Sequence, residues 1–287
     1  WRSGRRAIRA TAGLESRARI SSETNFPTRA GLASSAAGFA ALALAGSRAA
    51  GMDTSGEELA VLARLGSGSA TRSIDGGFVE WIAGEASDGS DSRGVQLFDE
   101  AHWPDLCLVA AISTEAPKPC GSSEGMRRSM QTSPFYPAWI ESAAADLSAT
   151  RDAIANRDLE ALGTVSEENA LRMHAVCLAT RAPIVYWTGG TVDLIRRIQA
   201  LRSEGIPAWL SIDAGPNVFA ITEKAHETAV SAALEELPAV ERCLGSGPGP
   251  DAVSIDEEEA RSKATLRTHA PQMVFYTMIQ TMMQTSG

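Results

Sequence analysis

The sequence predicts an α+β fold. Helical and extended patterns alternate along the 287 residues without a repeating βαβ unit. A continuous apolar run from Leu106 to Ile112 has the length of a buried strand. Leu194, Ile198 and Leu201 recur on one side of the stretch Val192 to Arg202, as in an amphipathic helix.

The elements follow in order. The chain starts at Trp1 rather than methionine, as a fragment or processed product does, and its first thirty residues carry Arg2, Arg5, Arg6, Arg9, Arg17, Arg19 and Arg29. That composition is compatible with a transit peptide. With no linker before the next motif, a basic helix face followed by a strand ending at Ala18–Ser21 is the better reading. The segment Asn25 to Gly38 is turn-like and then alanine-rich, predicting a helix that reaches Ala50 and stops at Gly51. Ser55 with Glu58 three residues on is a capping box. Gly66 to Ser73 reads as a small-residue loop, Gly76 to Ile82 as a strand, and Asp88 to Asp91 as a surface turn. Pro117 to Gly125 reads as flexible. Two helices are expected over 138–180, with Ile140, Leu147 and Ile154 on one face of the first and Leu159, Leu162 and Val165 in the second. Gly205 stops the next helix. Ala208, Leu210 and Ile212 then alternate as in a strand, followed by a strand over Val218–Ile221 and a helix over Glu223–Leu237. Beyond Ser254 an acidic run, Asp256 to Glu259, and four methionines (Met273, Met278, Met282, Met283) suggest an amphipathic or disordered extension.

Composition narrows the function. With 44% hydrophobic residues the chain can build one large domain or two lobes. A net charge of −9 argues against nucleic acid as a partner, since reading a phosphate backbone needs a basic face. No apolar run reaches membrane-spanning length, so no membrane partner is expected. Cys107, Cys120, Cys177 and Cys243 form no C-x-x-C pair and read as free thiols in a reducing cytosol. His102, His174, His226 and His269 show no metal spacing, and no G-x-S-x-G elbow is present.

Four constellations are candidates for chemistry. Gly31, Ala33, Ser34, Ser35 and Ala36 sit where a loop becomes a helix; small residues there let backbone N–H groups approach a phosphate. Standing alone, such a segment is more often just a tightly packed helix. Ser67, Ser69 and Arg72 share a hydroxyl-rich stretch, and arginine grips carboxylates or phosphates with a planar fork. A solvated surface arginine is the plain alternative. Asp213 ends an apolar strand beside a tight turn; it is either a turn former or a functional carboxylate, and its apolar flank favours the latter. Ser122 and Met126 lie in a segment that reads equally well as a donor loop or as plain surface.

Taken together these segments resemble the mevalonate diphosphate decarboxylase family of the GHMP kinase superfamily. The family pattern N-N-F-P-T-A-A-G-L-A-S-S-A-A-G corresponds to Thr24–Gly38. S-G-S-A-x-R-S with G-G-F-V-E-W corresponds to Ser67–Ser73 and Gly76–Trp81. S-S-x-x-G-M falls at Ser122–Met126 and D-A-G-P-N at Asp213–Asn217. Four motifs in order over roughly residues 15–253 are far more specific than any one. The resemblance implies a two-lobed fold with the active site in the cleft between lobes: residues 1–104 as the N-terminal lobe, 105–253 as the C-terminal lobe and 254–287 as a divergent tail. It implies ATP-dependent decarboxylation of mevalonate 5-diphosphate to isopentenyl diphosphate, with Mg2+ accompanying ATP, in a cytoplasmic homodimer. Asp213 would act on the 3-hydroxyl and Arg72 would hold the carboxylate. Gly31, Ala33, Ser34, Ser35 and Ala36 would cradle the ATP phosphates, and Ser67, Ser69, Ser122 and Met126 would line the substrate pocket; protein ligands to a metal are not implied. Thr24 and Arg29 replace the family's asparagine and alanine in the nucleotide loop, Ser123 stands where some members have arginine, and the family's Lys-Tyr-Trp-Gly-Lys segment is upstream of Trp1. A related GHMP kinase, a phosphomevalonate decarboxylase and a non-catalytic binding fragment are the alternatives.

Overall fold

The computed structural model describes residues 2–15, 18, 20, 22–24, 33–116, 118 and 120–255. Helices α1 (Arg2–Ala12), α2 (Ser34–Ala49) and α3 (Gly56–Gly66) pack against one another, and a 3-10 helix, Gly68–Ser73, follows directly. Ala36, Ala40 and Ala43 of α2 meet Leu59, Ala60 and Ala63 of α3, so alanine here serves close packing as well as helix propensity. The capping box at Ser55 is present, with the Glu58 amide donating to the Ser55 hydroxyl and the Ser55 amide to the Glu58 carboxylate. Two expectations change here. Ala18 and Ile20 carry no strand, because a strand persists only with a ladder partner and none pairs with them among the described residues. The stretch read as a loop over Gly66–Ser73 is mostly the 3-10 helix, with Ala70, Thr71, Arg72 and Ser73 buried; its small side chains permit so tight a turn against α2 and α3.

Strands β1 (Phe78–Ile82) and β2 (Arg93–Phe98) form an antiparallel pair. β3 (Leu106–Ile112) is central to a second, four-stranded antiparallel sheet ordered β4-β5-β3-β6, with β4 Trp209–Ile212, β5 Val218–Glu223 and β6 Arg242–Ser246. Helices α5 (Tyr136–Asn156) and α6 (Leu159–Leu178) cover one face, and α7 (Gly189–Ser203) and α8 (Lys224–Glu235) the other. The unbroken apolar run of β3 follows from this sandwich. Cys107, Val109 and Ala111 face Leu194, Ile198, Leu201 and Leu234, while Leu106, Leu108, Ala110 and Ile112 face Ala153, Ile154 and Leu162. Gly205, at φ +86°, ends α7 as expected.

The segment 117–125, read as flexible, contains the start of helix α4 (Ser122–Thr132). Its serines and glycine favour loops locally. Burial of Gly125, Met126 and Ser129 against α6 overrides that preference. β2 and β6 were not legible in the sequence. Neither shows a period-two apolar pattern, and each exists through pairing with a neighbouring strand.

The N-terminal elements join the larger sheet through a shared core and a returning segment. Phe78 of β1 and Trp103 enter the core made by β3, α5 and α6. The chain after β6 then returns to the segment before β1: the Gly77 amide donates to the Gly249 carbonyl at 2.8 Å, the Ala252 amide to the Ile74 carbonyl at 2.9 Å, and the Gly76 amide to the Asp251 carboxylate at 2.7 Å. A Cβ on Gly76 would lie 2.4 Å from the Gly249 carbonyl oxygen, so only glycine permits this approach.

Candidate functional site

Asp213 follows the last residue of β4, at the point where the chain turns into β5. That turn is held from four sides. His174 of α6 places Nε2 3.2 Å from the Asp213 carbonyl oxygen. The Lys118 ammonium donates to the Ala214 carbonyl at 2.7 Å. The Thr191 hydroxyl donates to the Pro216 carbonyl at 2.8 Å. Asn217 accepts from the Ser113 amide at 2.8 Å and donates to the Thr114 carbonyl at 3.0 Å, tying the end of β3 to the start of β5. These contacts fix the backbone that carries the Asp213 carboxylate, as a group that must meet one substrate atom requires.

Burial lifts the Asp213 carboxyl from 3.8 to about 6, against the opposing pull of Lys118 and Arg72. Lys118 is itself lowered, by burial first, with Asp213 and Cys120 acting the other way. His174 is pushed down to about 4 by burial and is neutral at physiological pH. Asp213 therefore remains mostly ionised near neutrality, yet holds a proton more readily than a surface aspartate. That suits a group exchanging a proton with a hydroxyl.

Arg72 sits in the 3-10 helix and is 4% exposed, with its charge in range of Asp213. The structure thus brings together two residues far apart in sequence. It also adds Lys118, which the sequence reading missed. The only signal for Lys118 was its place four residues before the S-S-x-x-G-M motif, and nothing local distinguishes such a lysine from a solvated one.

Ala33 takes φ 50°, ψ 27° at the entry of α2, an uncommon conformation for a residue with a side chain, and no side chain caps the helix. Ser35 is exposed, and its hydroxyl lies 3.2 Å from that of Ser67, so the α2 entry and the Arg72 segment meet. Ser34 and Ser69 are half-buried and Ala36 is fully buried. An uncapped helix start with hydroxyls on its first turn fits the phosphates of a nucleotide. Gly31 and Arg29 lie outside the described residues; Thr24 is exposed. Ser122 opens α4, half-buried, while Met126 is 4% exposed in a core cluster that includes Ala214, Tyr186 and Met173. Among the described residues no group of three His, Cys, Asp or Glu gathers to hold a metal. Mg2+ would fit here on nucleotide phosphates, with few protein ligands, as that ion commonly binds.

The fold and these residues together define an α+β protein of the GHMP kinase type. Its N-terminal part, residues 4–94, matches the model of the diphosphomevalonate decarboxylase-like N-terminal domain, and residues 107–285 match that of the mevalonate 5-diphosphate decarboxylase C-terminal domain. The chain belongs to the mevalonate diphosphate decarboxylase family. It is 39% identical over 214 residues to the diphosphomevalonate decarboxylase of Ganoderma lucidum, covering 72% of this chain and 54% of that protein. It is 38% identical to the Homo sapiens enzyme, covering 74% and 53%. The chain thus spans about half the length of these curated relatives. Among solved structures, the Staphylococcus aureus mevalonate diphosphate decarboxylase aligns with a TM-score of 0.83 at 35% identity, over 88% of this chain and 76% of that one. The protein MDDEF, in complex with MVAPP, AMPPCP and magnesium, aligns at 0.82 and 35% identity, over 87% and 76%.

Proposed function

We propose that this chain carries the ATP-dependent decarboxylation of mevalonate 5-diphosphate to isopentenyl diphosphate, with release of ADP, phosphate and CO2, in the mevalonate pathway. The observation that carries the reading is the half-buried Asp213 within charge range of both Arg72 and Lys118, at a turn restrained from four sides. The MDDEF complex with MVAPP, AMPPCP and magnesium supports the choice of ATP and Mg2+.

In this reading Asp213 takes the proton of the tertiary 3-hydroxyl as that oxygen attacks the γ-phosphorus of ATP. Departure of the 3-phosphate carries away the carbon–oxygen pair. The electrons of the carbon–carboxylate bond form the alkene, and CO2 leaves. Arg72 holds the substrate carboxylate by its planar fork, and its burial strengthens that grip. Lys118 offsets negative charge beside Asp213. The entry of α2 at Ala33, Ser34 and Ser35 receives the ATP phosphates, Ala36 packs beneath it, and Gly31 is given the same segment's role by resemblance; Ser67, Ser69 and Ser122 receive the substrate diphosphate, with Met126 packed beside them. Mg2+, when bound, neutralises charge on the nucleotide phosphates.

The division into lobes at 1–104 and 105–253 with a tail at 254–287, the cytoplasmic location and the homodimer belong to the same proposal. The four free cysteines support a reducing compartment. Light scattering of the purified protein tests the dimer.

A kinase that stops at the 3-phosphate is the competing reading, and the proximity of Arg72 to Asp213 favours the decarboxylase. The full product of the gene is to be assayed with ATP, Mg2+ and mevalonate 5-diphosphate, following ADP and isopentenyl diphosphate together. Both are expected to form in step, and Asp213→Ala to abolish both. ADP without alkene would make the protein a kinase and remove the role given to Arg72.

A further inference from the structure

Glu80 lies on β1 and turns toward α5. Its side chain is 7% exposed, and both carboxylate oxygens are taken by Arg151: Nε donates to one at 2.6 Å and a terminal nitrogen to the other at 2.5 Å. Arg151 itself is half in solvent, at 47% exposure. Neither residue belongs to the site set out above. Both line a small cavity beside β1 whose lining also includes Arg72, Trp81 and Thr150.

Glu80, Arg151 and Arg72 are the charged residues of this lining. A buried carboxylate is stable only with a counter-charge. With Arg151 in place Glu80 has a bidentate partner. Without it, Arg72 is the remaining cation around the cavity. The charge of Arg72 in turn acts on Asp213.

We propose that Arg151 is a positioning residue that holds Glu80 in a bidentate pair and so keeps that carboxylate from competing with the substrate carboxylate for the Arg72 guanidinium. This rests on the ligand assigned to Arg72 under the proposed function. A simple strut between β1 and α5 would leave the Arg72 guanidinium in place when Arg151 is lost, and the affinity for the diphosphate would fall little. In the proposal Glu80 draws Arg72 away from the substrate carboxylate, and neutralising Glu80 releases it.

Titration calorimetry with mevalonate 5-diphosphate on the wild type, Arg151→Ala and the double variant Arg151→Ala/Glu80→Gln separates the two. Arg151→Ala is expected to bind about tenfold more weakly, the scale of one charge-assisted hydrogen bond. The double variant is expected to recover to within about twofold of wild type, ordinary for a change away from the contact. A double variant as weak as Arg151→Ala overturns the proposal. If the wild type itself fails to bind the diphosphate, the ligand assigned to Arg72 is wrong, and a crystal structure of Arg151→Ala still decides the positioning role. An Arg72 guanidinium moved onto Glu80 supports it; one left in its wild-type position overturns it.

Discussion

Burial moves Asp213 and His174 in opposite senses, and the two effects are coupled in how the fold responds to acid. Asp213 rises from 3.8 to about 6, so the folded state binds its proton at a pH where the unfolded state does not. His174 falls from 6.5 to about 4, so over nearly the same window the unfolded state binds a proton the folded state refuses. From about pH 6 to about pH 4 the two slopes cancel, and these residues leave wild-type stability nearly flat. Asp213→Asn removes one side of that balance. It is expected to stabilise the fold by on the order of 2 kcal/mol above about pH 6, and then to lose about 1.4 kcal/mol per pH unit on acidification. His174→Gln is expected to show the opposite slope, gaining stability as pH falls through the same window. Urea denaturation of the three proteins across that range checks both signs; parallel pH profiles would sink the account. Under the proposed function Asp213→Asn is expected to be more stable and inactive, the trade a dehydrated functional charge makes.

At the scale of elements, the segment that follows Arg72 is tied to a part of the chain remote in sequence. The chain after β6 pairs with the segment Ile74–Gly77, which connects the 3-10 helix of Arg72 to β1. Gly76 is where the two backbones come closest, and a methyl group there would meet Gly249, Pro250 and Asp251 at 2.4 to 2.6 Å. Backbone cannot yield as a flexible side chain can. Gly76→Ala is expected to cost about 1–3 kcal/mol and to loosen the returning segment. Hydrogen exchange at the Gly77 and Ala252 amides reads this directly: both should exchange faster in the variant, while β3 amides keep their protection. Unchanged exchange at Gly77 would mean the segment is held by something other than this approach.

Over the whole molecule, the N-terminal elements and the four-stranded sheet share a core through Phe78, which is 3% exposed among Leu106, Leu108 and Ile154. Shared burial of this kind couples the two parts into one unfolding unit. Phe78→Ala is expected to cost about 3–5 kcal/mol and to lower the melting of both parts together. Tryptophan fluorescence and far-ultraviolet dichroism should report one coincident transition in both proteins. Two separated transitions in the wild type would show that the parts fold independently and that Arg72 and Asp213 are joined only loosely.

Local pattern was enough to read most helices, the buried strand β3 and the strand leading to Asp213, because apolar period and capping chemistry are properties of a few neighbouring residues. The order of four motifs carried the family; the roles proposed for Asp213 and Arg72 rest on the same resemblance. Other features had no local signal. β2 and β6 exist because a neighbour offers hydrogen bonds, α4 because its inner face is buried, and the 3-10 helix because small side chains are pressed against α2 and α3. Lys118 and the Glu80–Arg151 pair gain meaning only from what lies beside them in space. The sequence by itself determined the fold class, the core strand and the chemistry of single motifs. The tertiary structure alone decided which charges meet and how burial shifts them, because charge interaction and dehydration depend on distance in space rather than on spacing along the chain.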